Sequence, residues 1–412
     1  MAWNLVKPMK QRVRFVLEVK RMLHSVVEVC QMFGISRKTG YKWLDRYRVQ
    51  GLQGLRQRTC RPHRMPSRTP THWVRRILSL RRKYPRWGPK KLRALLRRRM
   101  RRSQALPARS TIGLILQRAK LSAPRRSRRE RTTVSGPPLR VAQRPNELWA
   151  VDYKGRFRTA DGRWCEPLTV SDVASRYVLA VQALPDQRWE RAQKVFRKLF
   201  RQRGLPDCIR CDNGGPFAST GAGGLSRLSV WWRQLGIELE WITPGHPEQN
   251  GVHERMHLTL KQDTASPPAA NRRAQRLQFG RWQREFNQQR PHEALGDRRP
   301  SEVYERSRRR YPKRLVVMHY PAPYEVRRVR SNGEIKWRGR RRFVGDALEG
   351  MRIGLKEAGR GRHEVYFGSV LLGDLRERDA GGLRSVVTRP ALGRAKFFHS
   401  PLGGNGKGNN KV

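Results

Sequence analysis

Leu148-Trp149-Ala150-Val151-Asp152-Tyr153, Cys211-Asp212-Asn213-Gly214 and Pro247-Glu248-Gln249-Asn250-Gly251-Val252-His253-Glu254-Arg255-Met256 decide the reading of this chain. The first alternates like a strand and carries a carboxylate in mid-course. The second reads as a strand ending in Asp and a turn, and the third as a loop opening into a helix that bears Glu. Carboxylate oxygens are the ligands that hard divalent cations such as Mg²⁺ prefer, and a pair of such ions can activate the attacking oxygen and stabilise the leaving oxygen in phosphoryl transfer. Asp152, Asp212 and Glu254 therefore look like three corners of one metal site.

Outward from these segments, the pattern from Glu147 is one of strands. Asp161-Gly162 signals a tight hairpin into a strand over 164–171, and 176–184 continues the meander. A helix over 189–202, the strand ending at Asp212, a helix near 225–235, a strand over 237–242 and the helix carrying Glu254 follow. Cys208 and Cys211 are nominally C-x-x-C, but no second Cys/His pair lies at ligand spacing, so they read as strand residues. Asp172 precedes Val173-Ala174-Ser175 and suits a turn. Glu248 reads as a helix N-terminal charge or a substrate-side residue. His246, His253 and His257 read as packing or substrate-positioning groups.

These segments, with Pro244-Gly245-His246-Pro247 through Leu260-Lys261, Phe286-Asn287 and Arg290-Pro291-His292-Glu293-Ala294-Leu295, resemble the IS481-type transposases, related to the IS3 group. That group's catalytic core is similar to those of the DDE transposases and retroviral integrases. The similarity runs from the first helices to about Tyr304. It implies a ribonuclease H-like mixed-sheet core in which the two aspartates meet on neighbouring strands and the last helix supplies the glutamate. It further implies that Asp152, Asp212 and Glu254 are the catalytic acids and hold two Mg²⁺ (or Mn²⁺) ions. The implied partner is DNA, as terminal inverted repeats and as target, bound by a homo-oligomer. Lys261 lies about two turns beyond Glu254 on the same helix face, and the resemblance suggests that it grips the DNA end beside the scissile phosphate. Asn250 would approach the same DNA from the other side. The 41 residues between Asp212 and Glu254 exceed what is usual in retroviral integrases. Ser219-Thr220-Gly221-Ala222-Gly223-Gly224 reads as the extra surface loop, an insertion of low entropic cost.

Composition points to the same partner. With 91 Lys+Arg against 32 Asp+Glu the formal charge is +59, far beyond what solubility requires, so a polyanion is expected. Residues 1–146 hold 40 basic and only 4 acidic side chains. Within 1–58, helices over 12–23 and 26–33, a Gly34-Ile35 turn and a third helix capped by Ser36 follow helix-turn-helix order. Trp43, Leu44 and Tyr47 face inward there, leaving Arg37, Lys38, Tyr41 and Lys42 for DNA. A linker over 59–70 leads to a second helical DNA-binding unit, 71–122. Its middle helix opens at Trp87-Gly88-Pro89-Lys90-Lys91-Leu92 with Pro89 at the first position, and its third opens at Ser110-Thr111-Ile112. Lys90 and Lys91 are its candidate DNA contacts. Arginine runs at 97–99, 101–102 and in the basic linker 123–146 read as arms that track the DNA backbone.

Beyond the core, 147–309, the pattern turns to short strands over 310–378 around the hairpin signal Ser331-Asn332-Gly333. A small SH3-like β-barrel fits, with Trp337, Arg338, Arg340, Arg341 and Arg342 on a basic, aromatic surface. Residues 379–412 read as a disordered tail. The expected class is thus multidomain α+β. No apolar run approaches a bilayer span, the N-terminus lacks an apolar signal region, and the five cysteines are scattered, which suits a cytoplasmic, nucleoid-associated protein. The expected activity is that of a transposase, a DDE-type polynucleotidyl transferase that binds insertion-sequence ends and catalyses metal-dependent strand cleavage and strand transfer. A catalytically silent, transposase-derived DNA-binding regulator is one alternative, against which three intact acids argue. A simple ribonuclease H-like nuclease is another, and it would need neither the two helical units nor the barrel.

Overall fold

Three short helices form the first unit: α1 (Pro8–Lys20), α2 (Val26–Met32) and α3 (Arg37–Gly54). The computed structural model describes residues 8–57, 68–99, 105–122, 139–243, 246–379 and 381–384. Arg101, Arg102, the Pro244-Gly245 pair, most of both linkers and most of the expected tail lie outside them. Local chemistry sets the helix ends. Ser25 accepts from the Glu28 amide at 3.3 Å while the Glu28 carboxylate accepts from the Ser25 amide at 2.8 Å, a reciprocal cap. Gly34 takes the turn at φ +60°, and Ser36 caps α3 through the Thr39 amide. Phe15, Val16, Val29, Cys30, Trp43 and Leu55 fill the core, so Arg37, Lys38, Tyr41 and Lys42 stay exposed as expected. Residues 1–74 make up this unit, and 75–412 the other.

The next helices are α4 (Thr71–Lys83), α5 (Pro89–Arg98) and α6 (Arg109–Arg118). Pro89 occupies the first position of α5; α6 starts at Arg109 behind Ala108 rather than at Ser110. The sequence suggests a second helical DNA-binding unit here; from Arg75 onward the chain packs with the core. Arg98 forks onto Glu302 at 2.7 and 2.6 Å, Arg86 pairs with Asp263 at 3.3 Å, Lys90 pairs with Glu293 and Tyr84 bonds Gln289 at 2.5 Å. Acids far along the chain thus neutralise part of a segment that has none of its own.

The core begins with β1 (Leu148–Tyr153), β2 (Phe157–Arg158), β3 (Trp164–Asp172) and β4 (Val178–Leu184). Then come α7 (Trp189–Arg203), β5 (Cys208–Cys211), α8 (Arg227–Gln234), β6 (Glu238–Trp241), α9 (Gly251–Thr264) and α10 (Arg272–Gln288). The strands run in the order β4-β3-β1-β5-β6, with β2 beside the start of β3. β1 is antiparallel to β3 and parallel to β5, and β5 is parallel to β6. This is the ribonuclease H-like arrangement. On one face Phe196, Phe200, Trp231 and Trp232 pack on Trp149 and Ile209. On the other, Met256, Leu260, Phe279, Trp282 and Phe286 pack on Cys165, Val178 and Val181. Covered on both faces, β1 starts with four buried residues in a row, as central strands do. Cys208 and Cys211 are buried strand residues outside any disulfide. Asp172 serves its turn, accepting from the amides of Ser175 (2.7 Å) and Asn146 (2.6 Å).

After the core come β7 (Glu325–Arg328), β8 (Glu334–Trp337), β9 (Arg340–Phe343), β10 (Arg352–Glu357), β11 (Arg362–Phe367) and β12 (Val370–Arg376). They form a four-stranded antiparallel sheet, β12-β11-β10-β7, and a two-stranded one, β8-β9. Residues 383 and 384 bridge the two at Phe343 and Asp374; no continuous ladder closes them into a barrel among the described residues.

Two expectations are corrected here. Trp337 and Arg342 are buried rather than part of a basic surface. Strand alternation turns them inward with Ile335, and Arg342 donates through Nη1 and Nη2 to the carbonyls of Gly381, Arg376 and Glu377 while its Nε has no partner. Only Arg338, Arg340 and Arg341 face out. The glycine-rich 219–224 segment is no free surface loop either. Gly223, at φ +59°, leaves only 3.2 Å between an added Cβ and the Leu371 carbonyl, and Leu225 and Val230 join the apolar core of the C-terminal sheets. Among the described residues no helix is long and apolar enough to cross a membrane.

Gly40 is where α3 meets α1 and α2: a Cβ there would lie 2.4 Å from Cys30 Sγ and 3.0 Å from Phe15 Cζ. Gly40→Ala should destabilise this unit by about 1–3 kcal/mol, the usual cost of overpacking, and Cys30→Ala in the same chain should recover part of it. Hydrogen exchange of residues 8–57 in the full chain reads both; equal protection in Gly40→Ala and the parent contradicts the packing.

Candidate active site

Parallel pairing sets the position of the two aspartates. Ala150 is registered with Arg210, so Asp152 and Asp212, each two residues further on, occupy equivalent places at the carboxyl ends of neighbouring strands, which lie about 4.8 Å apart. The turn after β5 is held by Asn213, whose side-chain amide donates to the Ile242 carbonyl at 2.6 Å, and by the Gly214 amide, which donates to Asp212 at 3.2 Å. Burial pushes Asp152 up to about 7, reinforced by the charges of Asp212 and Glu254. Burial raises Asp212 as well. Glu254 stands exposed in the first turn of α9.

A buried hydroxyl ties that helix to β1. Thr169 Oγ1, on β3, donates to the Asp152 carbonyl at 2.9 Å, and lies 2.8 Å from His253 Nε2 and 2.6 Å from His257 Nε2. A hydroxyl has one proton and two lone pairs. With its proton on Asp152, both imidazoles must present Nε2–H to it, leaving their Nδ1 atoms as acceptors. Ser171 then donates to His253 Nδ1 at 2.8 Å, and His257 Nδ1 faces Asp152 Oδ2 at 3.5 Å. Burial holds both histidines neutral, His253 at about 3. The sequence offered packing or substrate positioning for them. They are buried, and they join the strand of one acid to the helix of another.

The loop before α9 is anchored independently. Arg210 pairs with Glu240 at 2.6 Å and donates to the Arg140 carbonyl at 2.7 Å. Gln249 exchanges two hydrogen bonds with Thr243. Asn250, expected at the DNA, is only 6% exposed at the start of α9. Lys261 is exposed and close enough to Lys154 to help lower its pKa, second to burial, while Asp152 and Glu254 act to raise it. Lys154 thus sits among the acids and was not foreseen, although it follows Asp152 by two residues. Lys90 is engaged by Glu293, and Lys91 is half-buried with its pKa pushed down to about 8, first by burial and then by Arg290 and Arg255. The side chain of Glu248 lies outside the described residues.

Among the described residues, no three His, Cys, Asp or Glu side chains are gathered at metal-holding spacing. The donor set still fits a hard divalent cation. Asp152 and Asp212 are half-buried carboxylates whose ionisation burial disfavours, with Asp212 and Glu254 adding to the cost at Asp152, a balance that a cation reverses. His253, with both ring nitrogens committed, offers no nitrogen ligand. Thr169→Val, which keeps the shape but removes the shared hydroxyl, should cost about 1–3 kcal/mol, the penalty for stranding buried polar groups, whereas Thr169→Ser should cost less. Thermal unfolding of the two variants checks this; equal midpoints for Val and Ser would remove the hydroxyl from its central position.

Comparison with known proteins agrees segment by segment. Residues 142–247 and 235–300 match two models of the integrase core domain. Residues 11–64 match a helix-turn-helix domain and 39–116 a homeodomain-like domain, and 324–381 match the C-terminal domain of IS481 family transposases. A 31.7 kDa protein of insertion element IS407 from Burkholderia multivorans is 25% identical over 228 residues, 55% of this chain and 78% of its own. A 39.2 kDa protein of insertion element IS476 from Xanthomonas euvesicatoria is 25% identical over 265 residues, 64% of this chain and 73% of its own. Among solved structures, the HTLV-2 integrase catalytic core domain in complex with magnesium aligns with a TM-score of 0.30 at 16% identity, covering 39% of this chain and 98% of that one. Segments similar to an integrase core, to helix-turn-helix domains and to the C-terminal domain of IS481 family transposases thus lie together in one polypeptide.

Proposed function

We propose that this transposase binds the ends of its insertion sequence through its helical units and carries out metal-dependent strand cleavage and strand transfer in the central domain. The supporting observation is the equivalent placement of Asp152 and Asp212 on adjacent parallel strands, with the Glu254 helix pinned to the first of them. Asp152, Asp212 and Glu254 would hold two Mg²⁺ or Mn²⁺ ions, which supply activation of the attacking oxygen and charge neutralisation at the leaving oxygen. The chain's own part is to hold the acids rigidly and to present Lys154 and Lys261 to the DNA strand. The C-terminal sheets are read as a variant of an SH3-like barrel that adds Arg338, Arg340 and Arg341 to the DNA surface. The working form is a homo-oligomer on paired DNA ends, acting in the cytoplasm at the nucleoid.

Asp152→Asn, Asp212→Asn and Glu254→Gln keep shape but remove a ligand charge. Each should abolish Mg²⁺-dependent cleavage and joining of a terminal duplex while end binding persists. A variant that still joins ends takes its residue out of the triad. Because Arg37, Lys38 and Lys42 lie on one exposed helix, their joint replacement by Ala should flatten the dependence of log affinity on log salt by about 0.9 for each phosphate they no longer neutralise. Band shifts with terminal and scrambled duplexes measure this; equal affinity for both duplexes contradicts end-specific binding.

A further inference from the structure

On the side of α9 that carries Glu254, a cavity of 650 Å³ opens between α5, the turn joining β3 to β4, α9 and the segment after α10. Lys91, Arg176, Arg255 and Arg290 line it, with His292. Its acids are largely committed elsewhere: Asp172 accepts from Asn146 and Ser175, and Glu293 pairs with Lys90. Arg176 Nη1, Arg290 Nε and His292 Nε2 are buried without any hydrogen-bond partner. The nearest bond of the Arg290 guanidinium runs to the Thr259 hydroxyl at 3.3 Å.

Lys91, Arg176 and Arg290 are half-buried cations that repel one another, the two arginines with stranded donors, and Asp172, Asp263 and Glu285 offset this only in part. Lys91 registers this directly, its ammonium weakened by burial and by Arg290 and Arg255. Such an arrangement is unfavourable until an anion enters. Guanidinium forks match the spacing of phosphate oxygens, and an ammonium adds a compact charge. Val252, Met256 and Phe286 line the same recess and suit the apolar edge of a sugar.

We infer that this cavity seats one phosphate of a DNA strand, held by Lys91, Arg176 and Arg290 beside Glu254. This rests on the DNA-binding reading above and assigns α5 a different role from a groove reader: docked on the core, it closes the wall of a phosphate seat next to the reaction centre. Free inorganic phosphate offers the same oxygens, but only a DNA strand would be delivered to Glu254 by the rest of the protein.

The test uses the full chain without added divalent metal, so that binding is read apart from cleavage. Lys91→Met and Arg290→Gln should each weaken binding of a terminal duplex about tenfold at moderate salt and flatten the salt slope by about 0.9. In the unaltered chain, a neutral methylphosphonate walked along the strand should weaken binding at one position, and in Lys91→Met that position should lose its effect. Without DNA, Lys91→Met should melt at the same temperature as the parent or higher, because a repelled, unpaired charge is gone; a structural lysine would lower it. Unchanged slopes, or a methylphosphonate effect that persists in Lys91→Met, overturn the inference while leaving DNA binding standing. Stabilisation of the parent by millimolar inorganic phosphate with unchanged DNA slopes in the variants would also overturn it, in favour of a free-phosphate site. If the unaltered chain binds no DNA, both readings fall.

Discussion

The parallel pairing of β1 with β5 is the constraint on which the rest of the structure depends. It places two aspartates side by side at the carboxyl ends of central strands, where packing on both faces keeps water away. The cost appears in their acidity, with Asp152 raised to about 7. A fold gains nothing in stability from crowding carboxylates in this way. The arrangement is understandable as a site prepared for positive charge.

Holding Glu254 near such a pair requires that α9 be located by something other than the acids, since these repel. The Thr169 hydroxyl does this by bonding to Asp152, His253 and His257 at once. Because both histidines are buried and neutral, the junction adds no charge to the site it supports. Arg210, donating to the Gln249 carbonyl, and the Gln249 side chain on Thr243 secure the preceding loop separately, so the entry to the helix and its first turns are set by different contacts.

Positive charge is distributed in two distinct ways. Along α5, Lys90 and Arg98 are matched by Glu293 and Glu302, which ties that helix to the core through surface ion pairs. Lys91, Arg176 and Arg290 form no such ion pair in a half-open recess, where Asp172, Asp263 and Glu285 offset them only at longer range. Exposed cations on α3 are cheap to maintain because solvent screens them. Half-buried, incompletely matched ones are costlier, which is why the second group points to a ligand more sharply than the overall charge does.

Much of this was legible in the sequence. Alternation within 148–153, the Asp161-Gly162 hairpin, the caps at Ser36 and Pro89 and the order of strands and helices are local or periodic signals, and the structure carries them out with boundary shifts of a few residues. The C-terminal strands were equally plain, because turns and two-residue periodicity are written in neighbouring positions. What the sequence could not supply depended on long-range contact. Nothing local to Trp337 or Arg342 says that carbonyls 34 to 39 residues further on will accept the guanidinium. Nor do the glycines of 219–224 reveal that β12 lies against them. The sequence by itself determined the kinds of elements and the three acids worth watching. Only the tertiary structure decided which cations are neutralised, which histidines hold the helix and where an incompletely matched cationic recess remains, because each depends on residues that meet only once the chain is folded.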